Sequence, residues 1–152
     1  MHSVLFVCTA NICRSPMAMG LLRAKAENSP EDWRIESAGT WAVKGRPAAE
    51  KTLQVLAEQG IQISAQRSRP VTRELLESFN LILTMEQGHK EALQVEFPQL
   101  ATRVYTLTEM AGGYGDIDDP IGGPLEAFKE TYAEIAQILD HGFDKIKQLS
   151  ED

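Results

Sequence analysis

Apolar positions along this chain follow two rhythms. Short unbroken runs at Ser3 to Val7 and Leu81-Ile82-Leu83 have the length and branched or aromatic content of strands buried on both faces. Trp33 to Ser37 and Val104-Tyr105-Thr106 supply two further strand candidates. Between them the pattern lengthens to helical steps. Met17 to Glu27 reads as a helix that ends before Asn28-Ser29-Pro30. Ala49 to Gln59 reads as another, with Leu53 and Leu56 on one side and Gly60 as its stop. Thr72 opens a short helix through Leu75, and Met85 to Phe97 forms a longer one. The longest stripe places Leu125, Phe128, Tyr132, Ile135, Leu139, Phe143 and Ile146 at steps of three and four, the pattern of a helix with one face in a core.

Strands alternating with helices predict an α/β fold, a four-stranded parallel sheet with helices on both faces. In such sheets ligands bind beyond the carboxyl ends of the strands. The 152 residues suit one domain, 1–152, with a sufficient core. Hydrophobic and charged contents of 43% and 24% are ordinary for a soluble protein. No apolar stretch reaches membrane-spanning length, and no charged segment followed by a long apolar one opens the chain. The two cysteines lie five apart, too close to staple distant segments, so a reducing cytoplasm is expected. A net charge of −7 argues against nucleic-acid binding, which demands a basic face.

The chemistry concentrates at Cys8-Thr9-Ala10-Asn11-Ile12-Cys13-Arg14-Ser15, between the first strand and a helix opening at Ser15-Pro16. A tight turn feeding a helix N-terminus directs backbone N–H groups at an anion, and the helix dipole adds positive potential. Arg14 can grip two oxygens of a phosphoryl group with its planar fork. Such a field favours the thiolate of Cys8 and suits its attack on phosphorus. A second feature is the loop Gly115-Asp116-Ile117-Asp118-Asp119-Pro120-Ile121-Gly122-Gly123. Repulsion among its three carboxylates is expected to keep a proton on one of them, which makes a general acid. The spacing lacks the alternation and closing Glu of a calcium loop.

These residues carry a resemblance. Val7 through Pro16, Ser37-Ala38-Gly39, Leu83-Thr84-Met85 and Asp119-Pro120 together resemble the low-molecular-weight protein tyrosine phosphatases, over nearly the whole chain. The resemblance implies a phosphate-binding loop after the first strand of a four-stranded parallel sheet, no metal and no cofactor, and a phosphocysteine intermediate. It implies Cys8 as nucleophile, Arg14 as transition-state clamp and Asp119 as general acid and then base. Backbone N–H groups of Thr9, Ala10, Asn11, Ile12, Cys13 and Arg14 would hold phosphate oxygens, with the Ser15 hydroxyl supporting the sulfur. Asn11 would take a left-handed conformation, braced by Ser37. Cys13 has two readings, a space-filling residue or a partner that traps oxidised Cys8 as a disulfide. The implied partner is a phosphorylated protein met by a cytoplasmic monomer, with no nucleic acid or membrane involved.

Several positions depart from the family pattern. Ile121 and Gly122 follow Asp119-Pro120 where aromatic residues commonly stand, which leaves Ile12, Trp41 and Ile121 as candidate walls for the substrate. Glu86 stands where many members have Asp, Gln66 where several have His, and Ala10 replaces a frequent Gly, so positive φ is not expected at Ala10. Gly122-Gly123 resembles a bacterial branch that removes phosphate from arginine, but that branch typically has Thr at the position of Ile12. Phosphotyrosine is therefore the expected substrate, with phosphoarginine as the alternative. A glutathione-coupled arsenate reductase is a more distant one, since no downstream cysteine offers a relay.

Overall fold

The computed structural model describes residues 1–152. Strand β1 (His2–Cys8) is buried throughout and lies inside the sheet, with β2 (Trp33–Gly39) on one side and β3 (Leu81–Thr84) then β4 (Val104–Thr106) on the other. All pairings are parallel, and the register sets Cys8 opposite Gly39 and Val7 opposite Thr84. The carboxyl ends of β2, β1 and β3 therefore finish at one level. Whatever follows Cys8, Gly39 and Thr84 in sequence is brought together there.

Five α-helices supply the crossovers and the closing face: α1 (Arg14–Ala26), α2 (Glu50–Ala57), α3 (Arg73–Glu77), α4 (Gln87–Glu96) and α5 (Leu125–Ser150). Alternation along β1 splits the core in two. Val4, Phe6 and Cys8 join Met17, Leu22, Leu56, Phe128 and Ile135 beneath α1, α2 and α5. Leu5 and Val7 join Leu76, Phe79, Leu93 and Phe97 beneath α3 and α4.

The last helix buries Phe128, Ile135, Leu139 and Ile146 as its stripe predicts, but also Thr131 and Gly142. Leu125, Tyr132 and Phe143 are only half-buried, packed at the margin of that core. Gly142 is where the helix crosses the turn carrying Met110; a Cβ there would meet Met110 atoms at 2.8 Å. Helix α1 starts at Arg14, one turn ahead of the Met17 that opens its apolar pattern. Two 3₁₀ turns, Pro98–Arg103 and Leu107–Ala111, flank β4 and were not visible in the periodicity. The second is held by a reciprocal cap between Thr106 and Glu109. No helix is long and apolar enough to cross a membrane.

Candidate active site

Cys8 is the last residue of β1, and the chain turns over its sulfur before α1 begins. The amide N–H groups from Thr9 through Ser15 donate to no protein acceptor; the first bond of the helix is Met17 N–H to Cys13 O at 3.1 Å. A run of free donors curled at a helix N-terminus is an anion cradle. The turn is tight because Asn11 takes φ of 60°, the one non-glycine residue with positive φ, while Ala10 does not. Asn tolerates that region because its short side chain can bond locally.

The side chain of Asn11 is fully engaged and fully buried. Its Nδ2 donates to Ser15 Oγ at 2.8 Å and Ser37 Oγ at 2.9 Å, while its Oδ1 accepts from Arg69 N–H at 3.0 Å. Ser15 Oγ thus already accepts one bond, and its own proton has two places to go: Cys8 Sγ at 3.0 Å or Ala38 O at 3.4 Å. The shorter contact directs it to sulfur. Ser15 is therefore not on the surface of the cradle but behind the sulfur, as a donor to it. Gly39 completes the packing. A Cβ at Gly39 would collide with the Thr9 carbonyl and approach Ala42 at 2.9 Å and Asn11 at 3.1 Å, so Ser37-Ala38-Gly39 lets two loops touch.

Arg14 is 1% exposed, and a buried guanidinium must be paired. Nη1 donates to Glu86 Oε2 at 2.6 Å and to the Ile117 carbonyl at 2.7 Å, and Nη2 reaches Asp119 Oδ2 at 3.5 Å. Nε is buried with no partner. Nη1 is thus fixed, while Nε and the loosely held Nη2 form an edge free to grip an oxyanion. The Ile117 peptide also donates to Met85 O at 2.9 Å, so one residue of the acidic loop is tied to both the end of β3 and the guanidinium.

The three carboxylates of that loop do not form the mutually repelling cluster expected. Asp116 accepts the Gln87 N–H at the start of α4 (2.7 Å), and Asp119 faces Arg14 while accepting the Ile121 N–H at 3.1 Å. Asp118 lies toward Glu130 and Glu134 on α5, beside Asp119 and Pro120. The irregular chain from Asp116 to Pro120 sends these side chains to different elements.

Cys8, Thr9, Ala10, Asn11, Ile12, Cys13, Arg14, Glu86, Asp119 and Ile121 line one cleft of about 300 Å³, room for one side chain rather than a large ligand. Ile12 and Ile121 are its apolar walls. Trp41, expected as a third wall, is outside that lining and 84% exposed. Its backbone N–H binds the Thr9 carbonyl at 2.9 Å, which fixes the loop but leaves the indole in solvent. Burial, with the nearby Asp119 and Cys8, pushes the Cys13 thiol up to about 12, against the opposing pull of Thr52 and Arg14. Gln66 lies elsewhere, on a larger concavity of about 710 Å³ along the outer edge of β2. Several charges there already pair with one another, as Arg34 and Arg69 do with Glu36, so that larger hollow carries no comparable chemistry.

Two residues at the site escaped the sequence reading of function. Glu86, just before α4, was noted only as a departure, and His89, in the first turn of α4, was not singled out. Both lie far in sequence from the groups they touch, Arg14 and Thr9, and no local pattern marks them.

A sequence model of the family described as low molecular weight phosphotyrosine protein phosphatase matches residues 3–152. The chain is 36% identical to the protein-arginine-phosphatase of Bacillus subtilis strain 168 over 150 residues, covering 98% of this chain and 97% of that protein. It is also 36% identical over 147 residues to the probable low molecular weight protein-tyrosine-phosphatase EpsP of Ralstonia solanacearum, covering 97% of each. The crystal structure of a low molecular weight protein tyrosine phosphatase from T. tengcongensis superimposes with a TM-score of 0.91 at 40% identity, covering 95% of this chain and 99% of that one.

Proposed function

The chain belongs to the low molecular weight phosphotyrosine protein phosphatase family, and from that membership we propose that it hydrolyses phosphotyrosine in proteins, with Cys8, Arg14 and Asp119 as its catalytic residues. The observation that carries this reading is the run of unpaired amides from Thr9 to Ser15 around the Cys8 sulfur, joined by the unpartnered Nε of Arg14. Free donors in a buried cradle are preorganised for a phosphoryl group and stabilise charge spread over its equatorial oxygens.

The steps follow from the contacts. The phosphate monoester enters the cradle, and Arg14 turns Nε and Nη2 to two of its oxygens while Glu86 and the Ile117 carbonyl keep Nη1 in place. The Cys8 thiolate attacks phosphorus; the S–P bond forms and the P–O bond to the phenol breaks. Asp119, released by Arg14 and protonated, gives its proton to the departing phenolate oxygen. The Asp119 carboxylate then takes a proton from water as that water attacks phosphorus. The S–P bond breaks, inorganic phosphate leaves, and the Ser15 hydroxyl donates to the returning thiolate.

Ile12 and Ile121 support the tyrosine reading, since they offer apolar contact to a ring. Of the two carboxylates in the cleft, Glu86 stays committed to Arg14, while Asp119, once Arg14 releases it, is occupied with the leaving oxygen. The Bacillus subtilis relative, named a protein-arginine-phosphatase, keeps phosphoarginine as the second reading. Measuring kcat/KM on matched phosphotyrosine and phosphoarginine peptides decides between them. We expect tyrosine to be preferred and Ile12→Thr to move the ratio toward arginine; a large arginine preference in the unmodified protein overturns the assignment.

A further inference from the structure

Thr9 and His89 are separated by 80 positions in sequence, yet Thr9 Oγ1 and His89 Nε2 lie 2.9 Å apart. The mechanism above uses neither side chain. His89 is 7% exposed, and its Nδ1 is buried with no hydrogen-bond partner. That asymmetry fixes the tautomer. A neutral imidazole carries one N–H. Placed on Nδ1, it would be a buried donor with nothing to bond; placed on Nε2, it meets the threonine oxygen and leaves only a lone pair unmatched. Orphaned buried donors are the rarer defect in folded proteins. Nε2 therefore donates and Thr9 Oγ1 accepts.

The consequence falls on the hydroxyl proton of Thr9. No protein acceptor takes it, and Thr9 lines the same cleft as Cys8, Arg14 and Asp119. The residue is also held by its backbone, since its carbonyl accepts the Trp41 N–H at 2.9 Å. The ring is kept neutral by burial, with Arg14 assisting against Glu86, Asp116 and Asp119, so Nδ1 needs no acceptor.

We propose that the Thr9 hydroxyl is a further phosphoryl-binding donor, and that His89 is a positioning residue that orients it toward a non-bridging oxygen of the substrate phosphate. The inference rests on the phosphatase reading for its kinetics, but it also stands on phosphate binding alone. A contact made equally in the ground and transition states lowers KM without raising kcat, which sets the expected signature.

The test measures kcat and KM with p-nitrophenyl phosphate and the affinity for inorganic phosphate by calorimetry, using the full chain. Thr9→Val and His89→Leu should each raise KM and weaken phosphate binding about three- to tenfold, the usual worth of one hydrogen bond. Their kcat should stay within about twofold. Thr9→Ser and His89→Gln, whose amide nitrogen can stand near Nε2, should recover most of the loss. The double variant Thr9→Val/His89→Leu should be no worse than Thr9→Val alone. Unchanged phosphate affinity in Thr9→Val overturns the proposal, as does a double variant in which the two losses add. If His89→Leu does not fold, the exposed Thr9 variants and His89→Gln carry the test. An unmodified protein that turns over no phosphomonoester, yet binds phosphate more weakly as Thr9→Val, would remove the phosphatase reading and keep this one.

Discussion

At the scale of single residues, the site depends on where each proton and lone pair is committed. Ser15 can give its proton to the Cys8 sulfur because Asn11 has already filled one of its lone pairs. Cys8→Ser should abolish turnover while still binding inorganic phosphate, since the amides of the cradle are backbone; a rate assay paired with calorimetry checks both halves. Asp119→Asn should cost about a hundredfold or more on a phosphotyrosine peptide, where the leaving phenolate needs a proton. It should cost far less on p-nitrophenyl phosphate, and equal losses across a leaving-group series would point to Asp118 or Asp116 instead. The two cysteines should differ sharply toward alkylation. With its thiol pushed up to about 12, Cys13 holds only on the order of one thiolate in a hundred thousand at neutral pH. Brief treatment with iodoacetamide at pH 7, read by mass spectrometry, should therefore label Cys8 and spare Cys13.

At the scale of elements, the start of α4 and the residue before it meet the site at three places: Glu86 holds Arg14, the Gln87 N–H holds Asp116, and His89 holds Thr9. Burial keeps His89 below the usual histidine range, so the unfolded chain binds its proton first as pH falls. The stabilisation is thus complete above the unfolded value of about 6.5 and declines as pH drops toward the folded one. Denaturant unfolding at pH 7.5 and pH 5.5 should show a larger loss for the unmodified protein than for His89→Gln, which has no such proton to take up. The β2 end makes a similar demand. Gly39→Ala should destabilise by about 1–3 kcal/mol and lower kcat, because the added methyl must push the Thr9 carbonyl out of the cradle. The strands, the cradle and the placement of Asp119 at the cleft were legible in the sequence because each belongs to a local pattern. Glu86, His89 and the scattering of the three aspartates were not, because those contacts exist only once β1 and β3 stand side by side. Trp41 was misjudged for the converse reason: its type suggested a wall, but only its backbone is engaged.

At the scale of the whole molecule, the alternation of strands and helices was enough to foresee a parallel sheet covered on both faces. The order β2-β1-β3-β4 was beyond periodicity alone, and it is this order that puts Cys8 innermost. The long helix α5 seals the larger core, and Ile135→Ala should lose about 2–5 kcal/mol by opening a cavity there, measurable as a drop in unfolding free energy. The Ile117 peptide has a wider reach than its size suggests, bonded through its N–H to the end of β3 and through its carbonyl to Arg14. Deleting the guanidinium would cut one of the moorings of the segment that presents Asp119. An alanine scan would then charge to Arg14 a defect that partly belongs to a stray acid. Kinetic losses at positions 14 and 119 should therefore overlap instead of multiplying, and a loss read at position 14 alone will overstate what the guanidinium itself supplies.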